Sequence, residues 1–213
     1  MISALFFDVF GTLLDWRSSV ARDAKALLHP LGHDLDFAQF ADAWRAEYQP
    51  SMEEVRSGRR PYEPLDTLHR ENLDRILPKF GLDGISPEMR DALSRLWHKL
   101  DAWPDVPGAM RRLHARFRLA PVSNGNISIM VDVARHNGFS FDAVLGADIA
   151  RTYKPRPEVY LASARSLDLS PSSCMMVAAH SADLKAASAC GLKTAHVARL
   201  DEYGPGSGET KPA

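Results

Sequence analysis

The stretch Ile2-Ser3-Ala4-Leu5-Phe6-Phe7-Asp8-Val9-Phe10-Gly11-Thr12 begins as a nearly continuous apolar run and stops at a carboxylate. Such a run suits a strand buried on both faces, as in a parallel sheet covered by helices on either side. Working outward, the character changes from Trp16 to about Leu100. Amphipathic helical stretches are expected around 17–29, 36–57, 64–80 and 87–100, separated by Pro30, Pro61, Pro64, Gly81 and Pro87, with no convincing strand among them. After Trp103-Pro104 strands and helices alternate. Strands are expected at 117–122, near 142–146, at 174–179 and at 194–197. Helices are expected from Pro107 to about Arg116, from Ile127 to Asn137, from Pro157 to Leu167, and in an Ala-rich stretch closed by Gly191. Alternation of this kind implies a parallel sheet with helices on both faces. The expected fold is therefore α/β, a doubly wound parallel sheet carrying an inserted all-helical domain. Residues 1–15 and 101–203 form the core, 16–100 the insertion, and 204–213, opening with Gly204-Pro205-Gly206-Ser207-Gly208, a flexible tail.

Composition narrows the function. The 213 residues carry 26 Lys+Arg against 27 Asp+Glu, a net charge of −1, so the broad basic field that nucleic-acid binding needs is missing. With 45% hydrophobic and 25% charged residues there is enough apolar surface to offset the entropy of ordering. No apolar run approaches the roughly 20 residues of a membrane span. The opening residues show no positively charged n-region and no small-residue cleavage site, so no signal peptide is expected. Cys174 and Cys190 are too few and too far apart for a zinc site or a redox pair. A reduced, cytoplasmic protein is expected, and no Gly-rich nucleotide motif is present.

Open parallel sheets bind ligands beyond the carboxyl ends of their strands. Four polar clusters fall at such ends: Asp8 to Thr12, Ser123-Asn124-Gly125, Lys154-Pro155, and His180 to Asp183. In their order and spacing these elements resemble the haloacid dehalogenase superfamily over essentially the whole chain to about residue 203. Within it the chain is most similar to the L-2-haloacid dehalogenases. Trp44-Arg45-Ala46-Glu47-Tyr48 resembles their cap helix with its substrate arginine, and Lys154 to Tyr160 keeps the spacing of their lysine and tyrosine.

Phe10 can be read physically. Phosphatases of the superfamily carry a second Asp two positions after the nucleophile. Cleaving a phosphate monoester expels an alkoxide that wants a proton from a positioned acid, and Phe10 has none to give. A halide leaves readily as an anion, so displacement at carbon proceeds with electrostatic help alone. Those phosphatases also place a magnesium-binding carboxylate where this chain has His180, and an imidazole serves a hard, oxygen-seeking cation poorly.

The resemblance implies metal-independent hydrolysis of a short halogenated carboxylic acid, with no cofactor and with inversion at carbon. Asp8 is then the nucleophile, forming an ester with the substrate carbon. Lys154 keeps it ionised, Thr12 orients its loop, and Asp183 positions or deprotonates the hydrolytic water. Ser123 and the backbone amides near Val9 and Phe10 hold the substrate carboxylate. Asn124 and Arg45 receive the halide, while Phe10 and Tyr160 wall the pocket. The family shows Ser-Ser-Asn where this chain reads Ala178-Ala179-His180. His180 is thus a base for ester hydrolysis, a residue narrowing the halide pocket, or only a helix cap. Three alternatives stay open: a magnesium-dependent phosphatase; a phosphonoacetaldehyde hydrolase-like enzyme, for which Lys25, Lys79 and Lys99 are unconvincing Schiff-base lysines; and a catalytically silent small-acid binding protein. The resembled group is often dimeric, so a homodimer would fit, although the sequence displays no exposed apolar patch.

Overall fold

The computed structural model describes residues 1–210. Its centre is β1 (Ala4–Phe7), every residue of which is buried. The chain then leaves the sheet for a run of helices: α1 (Trp16–Leu28), α2 (Phe37–Ala46), α3 (Tyr48–Arg56), α4 (Leu65–Ile76) and α5 (Pro87–Ser94). It returns through α6 (Val106–His114), β2 (Arg118–Ser123), α7 (Ile127–Asn137), β3 (Leu145–Gly146) and the one-turn α8 (Ala147–Ala150). α9 (Pro157–Ser166), β4 (Cys174–Ala178), α10 (Ser181–Ala189) and β5 (Lys193–His196) complete the described elements.

All strand pairs are parallel, in the order β3-β2-β1-β4-β5. The chain builds outward from β1 to β3 and then crosses back to β4 on the other side. The strand order therefore reverses beside β1, and the crevice of such a sheet opens at the carboxyl end of that strand, where Asp8 lies.

The inserted helices are shorter than their periodicity suggests. The expected helix over 36–57 breaks at Glu47. Pro50 has no N–H for an i→i−4 bond, and a helix restarting at Tyr48 puts it in a first turn, where none is needed. The expected helices over 64–80 and 87–100 each end in a 3₁₀ turn, Leu77–Phe80 and Arg95–His98. Strand β3 is two residues long, less than the 142–146 expected.

Two apolar clusters flank the sheet. One face packs Phe6, Val122 and Met176 against α9, which contributes Tyr160, and α10. The other runs without interruption from Leu5 and Phe7 through Phe10 and Trp16 to Trp44, Leu73 and Trp97 in the inserted segment. Sheet face and inserted helices thus share one core. No helix among the described residues is long and apolar enough to cross a membrane.

The stretch from Gly204, read from its composition as a flexible tail, is tied down through Glu209, which accepts from the Ser181 N–H at 3.0 Å. Residues 211–213 of that expected tail lie outside the described residues.

Candidate active site

Asp8 follows β1, and its carboxylate is held from three directions. Lys154 Nζ donates to Oδ1 at 2.8 Å, Thr12 Oγ1 donates to Oδ2 at 2.7 Å, and His180 Nδ1 lies 3.1 Å from Oδ2. Thr12 itself accepts from the Ala179 N–H at 2.8 Å, which ties the loop after β1 to the end of β4. Burial alone would raise the Asp8 carboxyl, but Lys154 and His180 outweigh it and hold the group well below the ordinary carboxylate range. Asp8 is accordingly an anion at neutral pH.

Lys154 sits between two carboxylates, donating to Asp183 Oδ2 at 2.5 Å as well as to Asp8. Burial works to lower its pKa, but Asp183 and Asp8 raise it above the ordinary lysine value, so it stays charged. Asp183 stands in the first turn of α10, yet its side chain turns away from the helix. Tyr160 donates to its other oxygen at 2.5 Å. Burial raises the Asp183 carboxyl; Lys154 counteracts this and the Asp8 charge adds to it.

His180 precedes α10 without capping it through its side chain. Its Nε2 instead lies 2.9 Å from both oxygens of Glu202, whose Oε1 also accepts from Trp16 Nε1 at 3.2 Å. Burial would lower the imidazole, but Asp8 and Glu202 push it up to about 10, so the ring is an imidazolium in the resting site. Glu202 approaches so closely because residue 11 is glycine. Gly11 has φ +86°, and a Cβ there would lie 2.0 Å from Glu202 Oε1.

Arg45 enters from the last turn of α2. Its guanidinium carbon lies 3.9 Å from the Tyr48 ring centroid and 5.4 Å from that of Trp16. Nη1 is buried and has no partner among the described residues. Aromatic faces thus hold the cation while leaving an N–H for an anionic ligand. Asn124 Oδ1 accepts from the Lys154 backbone N–H at 2.8 Å, which orients the amide and leaves its NH₂ as the donor.

A cavity of about 660 Å³ joins these groups. Asp8, Phe10, Arg45, Asn124, Lys154, Tyr160, His180 and Asp183 all line it, with Tyr48 and Arg56 from the inserted helices. Thr12 lies one layer behind. Val9 and Ser123, expected to help hold the substrate carboxylate, are not among the lining residues. Ser123 Oγ is occupied instead by the Gly125 N–H at 3.0 Å and shapes the turn carrying Asn124. Lys25, Lys79 and Lys99 do not line the cavity either. Sequence reasoning missed Glu202, Tyr203 and Glu209. They lie in or beside a glycine-rich stretch with no hydrophobic period, and only the general rarity of fully buried Glu marks Glu202 out once the fold is known.

Residues 2–191 match the family model of the haloacid dehalogenase-like hydrolases. Among curated proteins, (S)-2-haloacid dehalogenase 1 of Pseudomonas sp. (strain CBS-3) is 30% identical, the match covering 94% of this chain and 86% of that protein. Among solved structures, the L-2-haloacid dehalogenase PA0810 is 46% identical with a TM-score of 0.94, covering 100% of this chain and 91% of that one. The defluorinating L-2-haloacid dehalogenase Rha0230 is 42% identical with a TM-score of 0.95, covering 99% and 86%. A carboxylate directly after the first strand, a lysine between two carboxylates and a match along nearly the full length agree: the chain belongs to the haloacid dehalogenase-like hydrolase family.

Proposed function

We propose that this protein hydrolyses the carbon–halogen bond of short 2-haloalkanoic acids, without a metal, through an ester on Asp8. The observation that carries the reading is Lys154 placed between Asp8 and Asp183, 2.8 and 2.5 Å away. Its ammonium supplies between two carboxylates the positive charge that a divalent cation would otherwise bring. The relatives named above point to the same substrate class.

In the first step an Asp8 oxygen attacks the carbon bearing the halogen from the side opposite the leaving group. A C–O bond forms as the carbon–halogen bond breaks, its electron pair leaves on the halide, and the carbon inverts. Arg45 Nη1 and the Asn124 NH₂ are the donors available to the halide. Esterification removes the Asp8 charge, one of the two that raise His180. The imidazolium can then release its proton to solvent, with Glu202 keeping the ring oriented.

In the second step neutral His180 accepts a proton from water as the oxygen adds to the Asp8 carbonyl. The tetrahedral intermediate expels the 2-hydroxy acid, whose alkoxide takes that proton. The restored Asp8 carboxylic acid then protonates His180 again. One proton per turnover leaves with the halide, so the step balances. Asp183, fixed by Lys154 and Tyr160, is positioned to orient the water.

The test is halide release from (S)-2-chloropropanoate with excess EDTA, beside Asp8→Asn, followed by a single turnover in H₂¹⁸O. The expected results are release that survives EDTA and falls by at least about 10³-fold in the variant, (R)-lactate as product, and the first ¹⁸O in Asp8. Label entering lactate in that first turnover, or release intact in Asp8→Asn, would overturn the covalent route.

A further inference from the structure

We propose that the segment from Tyr203 to Glu209 forms a third wall of the active site, and that Tyr203 determines the acyl-chain length the site accepts. The substrate class rests on the dehalogenase reading above. The wall itself rests on three features of the segment.

The first is anchoring. Before the segment, Glu202 is 2% exposed and bonded to His180 and Trp16. At its far end Glu209 accepts from the Ser181 N–H, in the turn that carries His180 and Asp183. In between, Gly204 N–H donates to Asp201 O at 3.0 Å and Gly208 N–H to Leu200 O at 2.8 Å. A Cβ on Gly208 would lie 1.7 Å from Arg199 O, so this close turn needs glycine.

The second is position. Tyr203 and Glu209 both line the cavity. The Tyr203 ring packs edge-on to Trp16 with centroids 5.9 Å apart, and its hydroxyl lies 3.5 Å from His180 Nε2. The side chain therefore bridges from inserted helix α1 to the start of α10.

The third is available surface. Among the aromatic side chains lining the cavity, Phe10, Tyr48 and Tyr160 are 2%, 4% and 0% exposed, whereas Tyr203 is 42% exposed. Much of the remaining lining is polar: Gln49, Glu53, Arg56 and Arg156. An alkyl tail beyond the reacting carbon has the Tyr203 ring as its accessible aromatic surface, and the position of that ring limits how long the tail can be.

The experiment compares kcat/KM for (S)-2-chloropropanoate and (S)-2-chlorohexanoate in the wild type, Tyr203→Phe and Tyr203→Ala, each with near-UV circular dichroism as a check of fold. The expected result is a hexanoate-to-propanoate ratio raised about tenfold or more in Tyr203→Ala and little changed in Tyr203→Phe, which keeps the ring. A ratio within about twofold of wild type in a folded Tyr203→Ala overturns the proposal. If the wild type releases no halide from either acid, the dehalogenase reading fails on its own. Calorimetric binding of propanoate and hexanoate then measures the wall, and the same preference shift in Tyr203→Ala supports it while its absence overturns it.

Discussion

The charge of His180 is part of how the site holds together, since its ring lies between Asp8 and Glu202. Asp8, Asp183 and Glu202 bring negative charge, and Lys154, His180 and Arg45 bring positive charge, within one cavity region. The folded-state pKa of His180 stands at about 10 against an ordinary 6.5, burial being outweighed by Asp8 and Glu202. A raised pKa means that the protonated ring stabilises the fold fully below pH 6.5, with the contribution lost as pH climbs through 10. Urea titrations of wild type and His180→Asn are thus expected to differ most near pH 6, with the gap narrowing steadily toward pH 10. A gap that widens with pH would contradict a charged resting imidazole. Asp8, Lys154 and Asp183 were legible in the sequence, since each sits at a fixed offset from an apolar strand or in a helix-opening connection. Glu202 was not, because its partners His180 and Trp16 lie 22 and 186 residues away.

Among the elements, the loop after β1 and the segment around Glu202 depend on each other. Gly11 adopts φ +86° and leaves room for the Glu202 carboxylate. Gly11→Ala brings both a strained backbone and a direct clash, so a loss of about 1–3 kcal/mol is expected in chemical denaturation. The displaced carboxylate should also lower the His180 pKa, visible in the pH titration of its ring protons by NMR. An unchanged titration would mean that Glu202 does not govern the ring. The strands and most helices could be read from periodicity, because burial on a sheet or a helix imposes a regular pattern. The Gly204-Pro205-Gly206-Ser207-Gly208 stretch could not. Its glycines serve turns and a close backbone approach, and in composition that is identical to a linker.

In the whole molecule, the inserted helices and one face of the sheet bury a single continuous core from Leu5 to Trp97. Arg56 adds a bridge, donating from α3 to the Lys154 carbonyl at 2.8 Å. Neither part keeps its apolar face covered if the other unfolds. One cooperative transition is therefore expected, with calorimetric and van't Hoff enthalpies equal and fluorescence and far-UV signals coincident. Two resolved transitions would show that the insertion is an independent unit.

The central position of β1 also sets an order of events during synthesis. Its residues pair with Arg118 to Pro121 on one side and with Cys174 to Val177 on the other. Of these three strands β1 is translated first, yet it must wait for its distant partners to leave the ribosome before it can be enclosed. Throughout that interval Leu5, Phe6 and Phe7 travel uncovered, and Asp8 has neither its lysine nor its imidazole. A nascent chain halted before β4 has no complete site to protect, so chaperone demand should peak late in translation and subside once the Glu202 segment has emerged.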